Sequence, residues 1–184
     1  MTVNFMDFIS QNQDGLYNFL VKLTNNPFDA EDILQNALIK ISESISEVKE
    51  PDKIRTWAYT VATNAAMDYF RQQGKTQQLE YDDDIIVSCD KHQTIEDLII
   101  TDEMNKCIRE KIDNIPVMYR TALILFYFEK LPITEIATIC GATVSSIKVR
   151  LLRAKEIMNR ILNSKCNLYY ENDQFMCCQK DVDC

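Results

Sequence analysis

Five basic side chains, Lys148, Arg150, Arg153, Lys155 and Arg160, punctuate the segment CGATVSSIKVRLLRAKEIMNRIL at residues 140–162. Cations at helical spacing pair with phosphate oxygens, and Lys or Arg can also reach guanine edges, so nucleic-acid contact is the chemistry this run could do. A plain solvated helix face has the same pattern, and the run alone leaves both readings open. Four of the seven cysteines, Cys166, Cys177, Cys178 and Cys184, crowd into KCNLYYENDQFMCCQKDVDC. Soft thiolates there could hold Zn(II) or Cu(I), or act as a thiol redox switch. Their spacing is not a standard zinc pattern, and an unstructured tail is the third reading. Catalysis has no comparable candidate. The sequence offers no Gly-rich phosphate loop, no histidine besides His92 and no nucleophile with its base, so no enzyme is expected.

The formal net charge of −8 is the wrong sign for a nucleic-acid binder until its location is considered. Between residues 76 and 103 lie Glu80, Asp82, Asp83, Asp84, Asp90, Glu96, Asp97, Asp102 and Glu103 against Lys91 alone. That stretch holds the whole imbalance. Salt screens exposed charges over roughly 8–10 Å, so a distant acidic segment does not cancel a basic helix.

The elements that would position these groups are helical. Only three glycines and four prolines occur, too few for the turns of an all-β fold. Phe5, Phe8, Ile9, Leu16, Phe19, Leu20 and Leu23 follow helical spacing over residues 5–24, with Gly15 as a weak point. Asn26 or Asp29 can cap a second helix, whose Ile33, Leu34, Ala37, Leu38, Ile41 and Ile45 keep a three-to-four repeat. Pro51 opens a third, with Ile54, Trp57, Ala58, Val61 and Ala65 in a stripe that ends before Gly74. Periodicity then lapses, and residues 76–94 read as a flexible acidic linker. Helical signal resumes at Ile95. Pro116 starts an apolar helix through Phe128, too short to span a bilayer and better suited to a core. A short helix follows in LPITEIATIC, and Thr143 or Ser145 can cap the last one. In the tail, Asn172-Asp173 suits a two-residue hairpin turn that sets Leu168 opposite Cys177 and Asn167 opposite Cys178, with Cys166 near both. The fold class expected is all-α: domains at 1–75 and 95–163, the linker between them, and the cysteine-rich tail at 164–184.

In the last helix Ile147, Leu151, Ala154, Met158 and Ile161 share one face, and Lys148, Val149, Leu152 and Arg153 lie beside or opposite it. A short helix, a turn with Gly141 and a helix with a basic outer face make a helix-turn-helix pattern. The stretch LPITEIATICGATVSSIKVRLLRAKEIMNRIL resembles the C-terminal DNA-binding region of bacterial RNA polymerase sigma factors of the extracytoplasmic-function group. DAEDILQNALIKI resembles that group's polymerase-binding helix. IRTWAYTVATNAAMDYFRQQGK is similar to the next helix, which meets the upstream promoter element. The three come in family order and cover about residues 5–163.

The resemblance implies two helical domains that bridge core RNA polymerase and promoter DNA, with the last helix in the major groove of the -35 element. It implies base contacts for Lys148, Val149, Leu152 and Arg153 and phosphate contacts for Ser145, Ser146, Arg150 and Lys155; the alternative for Leu152 is a core position. Asp29, Glu31, Asp32, Gln35 and Asn36 would meet the polymerase, where the bare pattern shows only a solvated polar face. SEVKEPDK, with Lys53, matches the loop that captures a flipped base of the -10 element. Thr63, Asn64, Asp68, Arg71 and Lys75 follow on the expected DNA side, Thr63 standing where many relatives carry Arg, and Trp57 reads as core. The linker would thread toward the polymerase active site as a nucleic-acid mimic. The tail is similar, in composition and position, to short cysteine-rich extensions that sense metals in some members; Cys89, Cys107 and Cys140 read as linker or core residues.

The function expected is promoter-specific initiation with no cofactor required, open to modulation by Zn, Cu(I) or redox chemistry at the C-terminal cysteines. Two rivals remain: a stand-alone helix-turn-helix regulator, and a metal- or thiol-sensing helical adaptor that binds no DNA. An anti-sigma protein is a further candidate partner. The N-terminal stretch has neither a basic start nor a long apolar run, so the expectation is a cytoplasmic protein with no membrane insertion.

Overall fold

The computed structural model describes residues 4–48, 50, 53–74, 111–171 and 174–179, with side chains through residue 161. The linker, Cys89, His92, Cys107, Lys75 and Cys184 lie outside the described residues. The described elements are α1 (Phe5–Thr24), α2 (Pro27–Ser44), a 3-10 turn (Ile45–Glu47), α3 (Ile54–Gln72), α4 (Val117–Tyr127), α5 (Ile133–Ile139), α6 (Val144–Lys165) and the strands β1 (Cys166–Glu171) and β2 (Gln174–Gln179).

Local chemistry fixes the helix ends. Asn4 and Asn26 cap α1 and α2, their side-chain oxygens accepting from the N–H groups of Met6 and Phe28 at 2.9 and 3.0 Å. Of the two caps the sequence allowed for α2, Asn26 is used; Pro27 takes the first turn and Asp29 lies beside the positive helix end. Helix α3 starts later than Pro51 suggested, at Ile54, and has no side-chain cap.

Helices α1, α2 and α3 pack on one another around Phe19, Leu20, Leu23, Ile33 and Ile41. Ala58, Ala62, Ala65 and Ala66 form a buried small-residue stripe on α3, which lets its backbone come close to its neighbours. In the second unit α4, α5 and α6 enclose Leu123, Ile136, Ile147, Ala154 and Met158. Helix α4 is buried on several sides, Thr121 through Leu125 all being inaccessible, because α6 and α5 pack on it from its own unit and α1 packs on it from the first. That is the environment its near-continuous apolar sequence requires.

The α-helical body ends in one antiparallel ribbon. Its register pairs Leu168 with Cys177 and Asn167 with Cys178, the pairing expected from the Asn172-Asp173 turn. One consequence of that register differs from expectation. Cys166 pairs with Gln179, so alternation places position 177 on the same ribbon face as 166 and position 178 on the other.

Candidate nucleic-acid interface

The turn between α5 and α6 is pinned by the backbone. Gly141 adopts φ 58°, its N–H donates to the Thr138 carbonyl at 3.2 Å, and the Ala142 N–H reaches back to Ala137 at 2.9 Å. This paired closure needs a left-handed residue, which glycine supplies without Cβ strain. Thr143 then caps α6, its Oγ1 accepting from the Ser146 N–H at 3.1 Å. Ile147, Leu151, Ala154 and Met158 anchor α6 to the core, and the opposite face is left outward.

On that outward face Ser145 and Lys148 are exposed and Val149 is 44% exposed. Ser146, Leu152 and Arg153 are half-buried. Arg153 donates to Glu156 at 2.9 Å one turn on, a carboxylate that sequence reasoning had not placed within the presumed DNA face. Lys155 sits at the flank with its Nζ 5.4 Å from the Tyr127 ring centre. Arg150 departs from expectation. Rather than standing out toward phosphate, it is 7% exposed and lines a cavity with Cys140, Met118 and Thr121. The signal was available: position 150 is three residues after Ile147 and four before Ala154, so it adjoins two anchored positions. Burial raises the Cys140 thiol above its ordinary pKa, and the Arg150 guanidinium opposes that shift.

In the first unit Asn64 and Arg71 are exposed, and Arg71 donates to Asp68 at 3.0 Å. Lys53 is exposed and pairs with Glu50 at 2.7 Å. Thr63, expected on the DNA side, is 3% exposed, and its Oγ1 has no hydrogen-bond partner. The reason is tertiary: α3 is covered by α1 and α2 on one side and by α5 of the second unit on another. Trp57 packs against the core, as read, and also lines a cleft of about 490 Å³ with Val48, Glu50, Lys53, Thr60 and Thr138. That cleft opens at the α2–α3 connection, where the sequence placed base capture.

On α2, Glu31, Asp32, Gln35 and Asn36 are exposed and Asp29 is half-buried. Asp29, with burial and the charge of Asp32, raises the Tyr69 phenol above its ordinary pKa. Sequence reasoning missed two neighbours, Phe28 and Ile39, which are 80% and 57% exposed. They lie four residues before Asp32 and four after Gln35, so all four share a stripe. Large apolar groups in water on an otherwise polar face were the available signal.

Polar contacts join the two units beside the apolar packing of α1 on α4. Glu129, in the loop after α4, accepts from Tyr59 Oη at 2.6 Å and from Lys22 Nζ at 3.2 Å. Thr56 donates to Glu135 at 2.9 Å, and Asn25 donates to Asp113 at 2.6 Å. Arg120 stacks 5.3 Å over the Phe70 ring and forms an ion pair with Asp113. Burial pushes Arg120 below its ordinary pKa, with Asp113 opposing. Burial first, then Glu129, pushes the Tyr59 phenol well above its usual range.

Comparison with known proteins follows this layout. Sigma-70 region 2 matches residues 8–76, and sigma-70 region 4 matches residues 105–158. The RNA polymerase sigma factor SigV of Bacillus subtilis is 31% identical over 150 residues, 82% of this chain and 86% of that protein. The ECF RNA polymerase sigma factor SigW of the same organism is 28% identical over 165 residues, covering 86% of this chain and 88% of its own. Among solved structures, the sigma factor RpoE in complex with the anti-sigma factor NepR from Bartonella quintana shares the fold, with a TM-score of 0.64, 20% identity, and coverage of 86% of this chain and 96% of that one. CnrH in complex with the cytosolic domain of CnrY superposes with a TM-score of 0.61 at 15% identity, over 87% of this chain and 88% of that one. The chain belongs to the sigma-70 family, as a sigma factor of the extracytoplasmic-function group.

Proposed function

We propose that this chain directs promoter-specific initiation by core RNA polymerase by dividing the promoter between its two units. The observation that carries this reading is the joint presence of an outward α6 face and the cleft at the α2–α3 connection, in a chain that matches regions 2 and 4 in order. Lys148, Val149, Leu152 and Arg153 read the -35 element, while Ser145, Ser146 and the cation of Lys155 hold its backbone. The cleft with Trp57 and Lys53, flanked by Asn64 and Arg71, takes the -10 element. The α2 stripe from Phe28 to Ile39, with Asp32 and Gln35 between, docks on the polymerase; exposed apolar groups amid acids suit a protein surface better than DNA. Neither a stand-alone regulator nor a DNA-independent adaptor accounts for both matched regions. The reading places the chain in the cytoplasm with its polymerase, and an anti-sigma protein as a further partner. Among the described residues no helix is long and apolar enough to cross a membrane.

Run-off transcription with core polymerase on a promoter library tests this reading. Selective transcripts that weaken at least tenfold when Lys148 and Arg153 become Ala support it; no transcript and no binding to core polymerase would refute it.

The tail carries a narrower proposal. The ribbon register leaves Cys166 and Cys177 on one face and Cys178 on the other, so the ribbon alone does not supply the four ligands that structural Zn(II) requires. A pair of cysteine positions on one ribbon face suits Cu(I) better. Elemental analysis of the purified chain after copper and zinc exposure, with and without Cys166→Ser, checks it.

A further inference from the structure

We propose that the cavity walled by α3, α4, α6 and the end of α5 binds a small monocarboxylate with a flat apolar body, of the size of benzoate. The site stands or falls independently of the promoter contacts assigned above.

Helical spacing builds one wall. Thr63, Met67 and Arg71 recur every four residues on α3, so a single stripe of that helix lines the space. Met118 of α4, Ile139 and Cys140 at the end of α5, and Arg150 of α6 complete a cavity of about 220 Å³. Thr63, Ile139 and Arg150 are buried and make its inner part. Asn64 and Arg71 are exposed and stand at its mouth.

Two features of the polar lining point to an anion. The first is Thr63, whose buried Oγ1 has no hydrogen-bond partner, a rare state for a buried hydroxyl. Thr24, Thr60, Thr121 and Thr138 each donate to the carbonyl four residues before them. Thr63 does not follow them, and so it keeps a donor for a guest. The second is charge. In a chain of net charge −8, this wall carries Arg150 and Arg71 and no acidic side chain among the described residues. The thiol of Cys140 adds no negative charge, because burial holds it in its protonated form.

The remaining lining sets the body of the guest. Met67, Met118 and Ile139 offer thioethers and an alkyl group, and methionine sulfur favours the edges of aromatic rings. An apolar cavity of about 150 Å³ accepts benzene, so this one has room for a ring and one carboxylate. It is smaller than the roughly 300 Å³ at which pockets for larger ligands begin, which leaves a nucleotide no place. Inorganic phosphate would turn charged, hydrated oxygens toward the methionines. A carboxylate instead accepts from the planar guanidinium fork of Arg150 and from Thr63, and its ring lies on the apolar side.

The test titrates the full chain, carrying methyl-labelled methionine, with sodium benzoate and follows the methyl resonances. Those of Met67 and Met118 should shift and saturate with a dissociation constant of about 1 mM or tighter, while Met6, exposed on α1, stays in place. Benzamide keeps the shape without the charge, and phosphate keeps charge without the ring; each should bind at least about tenfold more weakly. Arg150→Met removes the cation and retains an apolar stem, and should weaken benzoate by about tenfold or more. Thr63→Val keeps the outline, removes a hydroxyl that bonds to nothing in the fold, and should weaken benzoate by roughly tenfold in a chain that folds as before. That variant decides the matter should Arg150→Met fail to fold. No saturable shift at Met67 and Met118 would overturn the site. So would benzamide or phosphate binding as tightly as benzoate, or benzoate affinity unchanged by Thr63→Val.

Discussion

Glu156 is the sharpest point of attack on the assigned DNA face. It accepts from Arg153 at 2.9 Å, and the two side chains are 30% and 28% exposed. It lies one turn beyond Leu152 and Arg153 and two turns beyond Val149, within the face meant for a polyanion. Two effects follow from removing it. A carboxylate about 7 Å from a phosphate costs roughly 0.6 kcal/mol at the dielectric of water, and more where the groove excludes water. Arg153 also no longer gives up a surface pair to reach a phosphate, a gain of about 0.5 kcal/mol within the 0–1 kcal/mol that exposed pairs contribute. Glu156→Ala should therefore tighten -35 duplex binding by about 1 kcal/mol, roughly fivefold, and steepen the salt dependence by about one counterion. Fluorescence anisotropy of the full chain on a labelled promoter duplex, from 50 to 200 mM salt, measures both quantities. Arg153→Ala should cost more in the Glu156→Ala background than alone, since only there is the guanidinium free. Weaker binding on loss of Glu156, or an Arg153→Ala effect identical in both backgrounds, would refute the reasoning.

Three further outcomes are expected. Asp113→Ala leaves the Arg120 guanidinium buried beside Phe70 without its carboxylate and should destabilise the chain by about 2–3 kcal/mol in urea titrations, whereas Arg120→Met should cost clearly less. Gly15→Ala should stabilise by about 0.5–1 kcal/mol, because the new Cβ would meet only the Tyr59 hydroxyl, at 3.4 Å, while gaining helix propensity; a lowered melting temperature would contradict this. Tyr59 has a folded pKa raised above its ordinary 10.0, so the folded state keeps a proton that the unfolded chain sheds. The stability it contributes is complete below pH 10 and fades as pH climbs above that value, and Tyr59→Phe should remove this part of the alkaline loss.

Much of this was legible because it is local. Asn26, Pro27, Gly141 and Thr143 announce helix ends through backbone chemistry that operates within a turn, and the register of β1 on β2 is a matter of neighbouring strands alone. The apolar run of α4 identified a buried helix because its composition has no polar side to offer solvent. Arg150 and Thr63 were misplaced because exposure was inferred from one helix at a time, and a second unit decides theirs. Arg153–Glu156 was overlooked although its spacing of three is a helical neighbour distance. Phe28 and Ile39 passed unnoticed because an apolar residue was assumed to be a buried one.

The closure at Gly141 and the Thr143 cap have a consequence for how such a chain acquires new targets. The angle at which α6 leaves its partner helix is set by backbone hydrogen bonds and by Ile147, Leu151 and Ala154, none of which belongs to the outward face. Lys148 and Val149 hold up nothing beneath them. Their identities can drift while the scaffold stays put, so a duplicated copy could change its vocabulary without first surviving a loss of stability.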